Sequence, residues 1–193
     1  MSFLEDPPAS APVEAVHESY AASDGYVANY ARTWCWRPDL LDTFAGLRSQ
    51  LMAESTLTSR ELTVLVVGTA SALGDSYCSL AWGGRLAGAS DEQTAAAALR
   101  GEDAGLTPRE AALLEWARRV VDDPNATGAD DVERLRAAGL DDREIFEATA
   151  WIGFRLGFST INDALGISPD RELVEKTPPA VREAVSFGRE PAG

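Results

Sequence analysis

Apolar residues recur at helical spacing along nearly the whole chain, and no stretch shows the apolar–polar alternation of a half-buried strand between hairpin turns. The pattern predicts an all-α protein. After a proline-rich lead, residues 13–22 and 26–34 read as two short helices broken at Asp24-Gly25, and Pro38 opens a third that runs to about Ala53. Three later starts carry capping boxes, in which a Thr or Asp side chain takes a backbone N–H and a Glu three residues on reaches back. These are Thr58-Ser59-Arg60-Glu61, Thr107-Pro108-Arg109-Glu110 and Asp141-Asp142-Arg143-Glu144. Ser90-Asp91-Glu92-Gln93 marks a further start.

The helix that begins at Thr58 carries Leu62-Thr63-Val64-Leu65-Val66-Val67 and has almost no polar face, so it is expected to be buried on all sides. Residues 145–164 make a second core helix through Trp151-Ile152-Gly153-Phe154. Residues 131–138 form a short surface helix stopped by Gly139, and residues 178–188 a final peripheral one. The polar breaks at 101–105 and 122–128 are short, and apolar periodicity resumes on both sides. The organisation expected is a flexible lead over residues 1–12, a single helical domain over 13–188 and a tail over 189–193.

Composition narrows the chemistry. A chain of 193 residues can bury roughly 70% of its unfolded surface and does not depend on disulfide or metal staples. Thirty-one acidic against 17 basic residues give a formal charge of -14, which argues against a nucleic-acid partner or an anionic membrane surface. The start lacks the basic region and long apolar stretch of a signal peptide, and nothing approaches the roughly 18 apolar residues of a spanning helix. A soluble, cytoplasmic protein with a small-molecule substrate is expected. The only cysteines are Cys35 and Cys78 and the only histidine is His17, too few for a Cys/His zinc site, so no metal and no cofactor are expected. Both cysteines stand in apolar, aromatic company, which suits reduced thiols. His17, on a polar helix, reads as a surface residue.

The informative stretch runs from Leu57-Thr58-Ser59-Arg60-Glu61-Leu62-Thr63 through the apolar helix to Leu73-Gly74-Asp75-Ser76-Tyr77-Cys78-Ser79-Leu80-Ala81-Trp82. It resembles the carboxymuconolactone decarboxylase and AhpD-like alkylhydroperoxidase superfamily, especially its peroxidase-related branch. Gly25 to Tyr30 with Arg37-Pro38-Asp39-Leu40-Leu41 looks like that family's N-terminal region, and Leu106 to Glu110 with residues 131–145 looks like its second half. The resemblance covers about residues 13–168 and implies an AhpD-like helical bundle that assembles into homo-oligomers: dimers, trimers or hexamers.

Redox members of this family carry Cys-x-x-Cys-x-x-x-His at the start of a helix, with a relay glutamate twelve residues before the first cysteine. Aligned on Tyr77-Cys78, only the second cysteine remains, as Cys78. The first cysteine position holds Asp75, the histidine position Trp82 and the relay position Thr63. Glu61, two residues earlier, is either a shifted relay or the glutamate of its capping box. A dithiol peroxidase needs a low-pKa thiolate and a neighbouring thiol to resolve the sulfenic acid, and that neighbour is missing. Cys35, between Trp34 and Trp36, is the one thiol left to resolve Cys78. The alternative is that Cys78 merely packs.

Asp75 follows Gly74 and precedes Cys78 by three, the geometry of a helix cap. It reads either as a cap alone or as a cap that also serves as general acid or base, with Tyr77 or Cys78 as second proton donor. Asp75, Cys78 and Trp82 share one helix face, and Gly83-Gly84 follows, at a cost of about 1 kcal/mol per glycine relative to alanine. Either a tight helix crossing or room beside Trp82 accounts for them. Tyr26, Tyr30 and Trp36 are candidate lining residues of a substrate pocket with Trp82 and Thr63. Arg155, inside the apolar run 151–158, snorkels out, pairs with an acid or receives a substrate carboxylate. Three functions follow: cofactor-free acid/base chemistry (decarboxylase, isomerase, lyase or cyclase) on a small organic molecule, a single-cysteine hydroperoxidase using Cys78, or a silent binding module.

Overall fold

A computed structural model describes residues 2–191. Among them the regular structure is helical: α1 (Ala11–Asp24), α2 (Asn29–Trp34), α3 (Pro38–Ala53), α4 (Ser59–Leu73), α5 (Ser76–Ala89), α6 (Glu92–Arg100), α7 (Pro108–Asp122), α8 (Ala129–Ala137), α9 (Asp142–Ala164), α10 (Arg171–Lys176) and α11 (Pro179–Ala184), with a 3-10 turn at Pro124–Ala126. α4 is the central helix. Every residue from Glu61 to Ala70 is buried, and α5, α6, α7 and α9 pack around it. Its close approach to α7 depends on Gly68, where a Cβ would lie 3.0 Å from both Ala117 Cβ and Leu114 Cδ1.

The three capping boxes form, and each of their glutamates also takes an arginine from a neighbouring helix. Arg109 of α7 bonds Glu61 at the start of α4 and, at 2.6 Å, Glu144 at the start of α9, while Arg60 of α4 bonds Glu110 of α7 at 2.8 Å. Three helix N-termini are thereby tied together. Glu61 caps its helix and pairs with Arg109.

The helix expected over 26–34 begins only at Asn29, because Gly25 ends α1 in the left-handed region (φ 85°) and residues 26–28 are irregular, with Ala28 at φ -59° and ψ 141°. The helix expected over 178–188 stops at Ala184. Beyond it the chain turns back over the start of α5, where Gly188 (φ 75°) lies so close that a Cβ would meet Gly74 O at 2.6 Å. Arg189 N donates to Ser76 Oγ, which donates to Arg189 O. The short helix α10 was not among the expected elements. His17 is half-buried rather than a surface residue. No helix among the described residues is long and apolar enough to cross a membrane.

Candidate functional site

Asp75 builds the inner end of the site. Left-handed Gly74 closes α4, and Asp75, extended and fully buried, caps α5 by accepting the Cys78 N–H on Oδ1 at 2.9 Å. Its second oxygen, Oδ2, has no partner and is shielded from solvent. Cys78 is 3% exposed, and Arg155 of α9 donates from Nη2 to its Sγ at 3.1 Å, with Ser159 Oγ at 3.7 Å. Burial, and then the Asp75 carboxylate, push the thiol up to about 12, against the opposing pull of Arg155. At neutral pH Cys78 is a protonated thiol.

Cys35 is a buried free thiol at the end of α2, outside the hydrophobic cluster that holds Cys78, and the charged groups that act on it are Arg32 and Asp6. Burial raises it as well.

Tyr77 turns the other way from Cys78. Its hydroxyl bonds Asp170, whose other oxygen accepts the Asn29 N–H at 2.8 Å, so Tyr77 fastens α2 and the start of α10 to α5. Burial and Asp170 raise the phenol far above its usual range. Trp82, one turn beyond Cys78, lies beneath two guanidinium groups: Arg85 is 4.7 Å and Arg155 is 5.3 Å from its ring centroid. Gly83 is a tight crossing, since a Cβ there would meet Val181 Cγ1 at 2.8 Å, whereas Gly84 has only ordinary contacts.

Arg155 links this buried group to open space. It lines a cavity of about 630 Å³ between α1, α2, α3, α5 and α9, with Tyr20, Tyr30, Phe44, Phe158, Arg48 and Arg85 among the other walls. Tyr30 donates to Tyr20 Oη at 3.1 Å and meets Tyr77 and Phe158 edge-on. Trp34 stacks on Phe158 and donates from its indole to the buried Asn162 at 2.8 Å. Of the residues expected from sequence, Tyr30 and Arg155 line this cavity. Asp75, Cys78 and Trp82 form the layer around and behind Arg155.

Three expected lining residues are not among its walls. Thr63 is buried with its hydroxyl on Ser59 O, Tyr26 lies under Lys176, and Trp36 is 48% exposed with its indole on Glu5 O. Sequence reasoning missed Arg48, Arg85 and Tyr20. Their signal was faint: each is a polar residue on an otherwise amphipathic helix, indistinguishable from a solvated face until α1, α3 and α5 are brought together.

Comparison with known proteins bears on the fold. The carboxymuconolactone decarboxylase family model matches residues 38–119, from the start of α3 into α7. No curated protein matches the chain. Among solved structures, a peroxidase-related protein with an alkylhydroperoxidase AhpD core from Ralstonia eutropha JMP134 is 24% identical with a TM-score of 0.77, covering 89% of this chain and 94% of its own. A peroxidase-related protein from Silicibacter sp. TM1040 is 23% identical (TM-score 0.79), covering 89% and 93%. The debrominase Bmp8 is 18% identical (TM-score 0.72), covering 94% and 96%, and a cysteine-to-alanine variant of it has been solved in complex with 2,3,4-tribromopyrrole. The match to the carboxymuconolactone decarboxylase family model covers residues 38–119, and over most of its length the chain has an AhpD-like fold.

Proposed function

We propose that the protein is a diverged, non-dithiol enzyme of its superfamily that acts on a small organic molecule in the Tyr20–Arg155 cavity by acid/base chemistry, without disulfide cycling or cofactor. The observation that carries this reading is the bridge made by Arg155. It faces the cavity and touches Cys78 Sγ, which couples the start of α5, where the family motif aligns, to the space a substrate would fill. Cys78 supports proton transfer better than redox work, because its thiol is protonated and Cys35 lies outside the hydrophobic cluster that holds it.

In this reading Asp75, with Oδ2 unpartnered, is the general acid or base, and Cys78 the second proton donor. Tyr77, already committed to Asp170, positions α5. Trp82 and Phe158 hold the Arg155 guanidinium between aromatic faces and keep water out. Reactions of this class, decarboxylation or isomerisation next to a carbonyl, need a proton moved at carbon. The homo-oligomer implied by the family resemblance belongs to the same proposal and is read by analytical ultracentrifugation.

The test is turnover of 4-carboxymuconolactone and of cyclic keto acids in D2O, followed by mass spectrometry for CO2 loss or deuterium at carbon. The protein is expected to catalyse one of them, Asp75→Asn to abolish it and Cys78→Ser to retain part of it. Consumption of cumene hydroperoxide that depends on Cys78, with no proton exchange, overturns the reading. That second reading, a lone peroxidatic thiol, has one observation in its favour: Arg155 and Ser159 both reach Sγ and favour its thiolate. A bromopyrrole probe belongs in the same panel because of the likeness to Bmp8.

A further inference from the structure

Arg48, Arg85 and Arg155 come from α3, α5 and α9 and line one cavity, yet among the described residues none of them forms a salt bridge. Among the same residues nine other arginines find one and four more do not, so what sets these three apart is that they converge on a single cavity, Arg48 and Arg85 at its exposed side and Arg155 buried. Arg155 is 6% exposed and its buried Nε has no hydrogen-bond partner. A desolvated guanidinium whose donors are left unmatched is costly unless something else meets it, and Cys78 Sγ, a neutral and weak acceptor, meets only one of them. Arg85 and Arg155 both lie on the Trp82 ring, so two cations share one indole, and among the described residues neither has a salt-bridge partner. Asp24 and Asp42 also line the cavity, and among the described residues neither pairs with an arginine.

Among the other walls, four are aromatic: Tyr20, Tyr30, Phe44 and Phe158. Tyr30, Phe44 and Phe158 meet at ring-centroid distances of 5.3 to 5.6 Å where they touch Phe158, and Trp34 stacks behind. Such walls receive a planar ring by edge and face contact. We infer that this cavity is built for an aromatic carboxylate, its ring against Tyr30, Phe44 and Phe158 and its carboxylate shared by Arg155, Arg85 and Arg48. The inference rests on the cavity proposed above as the substrate site and adds the charge and shape of what fills it. The planar, forked donors of arginine match the two oxygens of a carboxylate, and the anion supplies the countercharge that buried Arg155 lacks.

Isothermal titration calorimetry with 2-naphthoate and its neutral isostere 2-naphthamide tests this on the intact protein, with Arg48→Gln and Arg85→Gln variants checked for unchanged circular dichroism. Naphthoate is expected to bind at least tenfold more tightly than naphthamide and more weakly as salt rises. Arg85→Gln is expected to weaken it by about tenfold, the loss of one charge-assisted contact. Equal binding of the two probes, or naphthoate binding unaffected by both arginine variants, overturns the inference while leaving the cavity as a small-molecule site. Binding of neither probe overturns the inference and counts against the cavity itself.

Discussion

Arg155 Nη2 donates to Cys78 Sγ at 3.1 Å, so the one thiol at the start of α5 is held by a cation that also faces the cavity. Asp75 opposes that cation, and the thiol's protonation reports the balance. On a Cys35→Ser background, thiolate absorbance at 240 nm is expected to stay absent through pH 9.5. Asp75→Asn keeps the cap, since Asn caps as well as Asp, but removes the charge, and is expected to lower the apparent pKa by about one unit or more. Arg155→Met is expected to move it the other way.

Arg109 ties the capping glutamates of α4 and α9 to α7. Removing it leaves two largely buried carboxylates without their cation, and Arg109→Met is expected to cost about 3 kcal/mol in urea denaturation. Burial pushes Glu144 up, but Arg109, the Asp141 N–H and Thr56 together hold it below the usual carboxylate range. Its contribution is therefore present above the unfolded carboxylate pKa and is lost as pH falls through the lower folded value. The Arg109→Met penalty is expected to shrink below about pH 4.

Asp163 behaves oppositely. Burial, then the nearby Asp75 carboxylate, raise it to about 6. The folded protein holds this proton more tightly than the unfolded chain, so stability from this group is greatest below about pH 4 and is lost as pH rises to about 6. Asp163→Asn is expected to be more stable than the parent at pH 7, with the difference vanishing near pH 4, as read by thermal melts across that range.

Gly83 and Gly84 are adjacent and are expected to respond differently to alanine. Gly83→Ala drives a methyl into Val181 and Leu99 and is expected to destabilise by about 1–3 kcal/mol. Gly84→Ala meets nothing closer than 3.9 Å and is expected to be neutral or to stabilise by up to about 1 kcal/mol through helix propensity. Denaturant midpoints of the two variants decide it.

These contrasts mark what the sequence makes legible. Helix starts were readable because a capping box is local: Thr58 and Glu61 are three residues apart, as are Asp75 and Cys78, and each pair meets as expected. The burial of α4 was readable from its missing polar face. The partners of Arg109 and the cavity walls were not, because Arg48, Arg85 and Arg155 meet only through tertiary packing, and each alone is an ordinary arginine on a helix. The last helix was overextended because nothing local at Val185 announces that Gly188 and Arg189 find a better partner at the start of α5.

In the proposed function Cys78 stays a protonated thiol beside Arg155 and does not cycle through a disulfide. Intact-mass analysis after one equivalent of hydrogen peroxide decides this. Both thiols are expected to keep their reduced masses. A stoichiometric gain of one oxygen at Cys78, or loss of two hydrogens by a Cys35 to Cys78 bond, would contradict it.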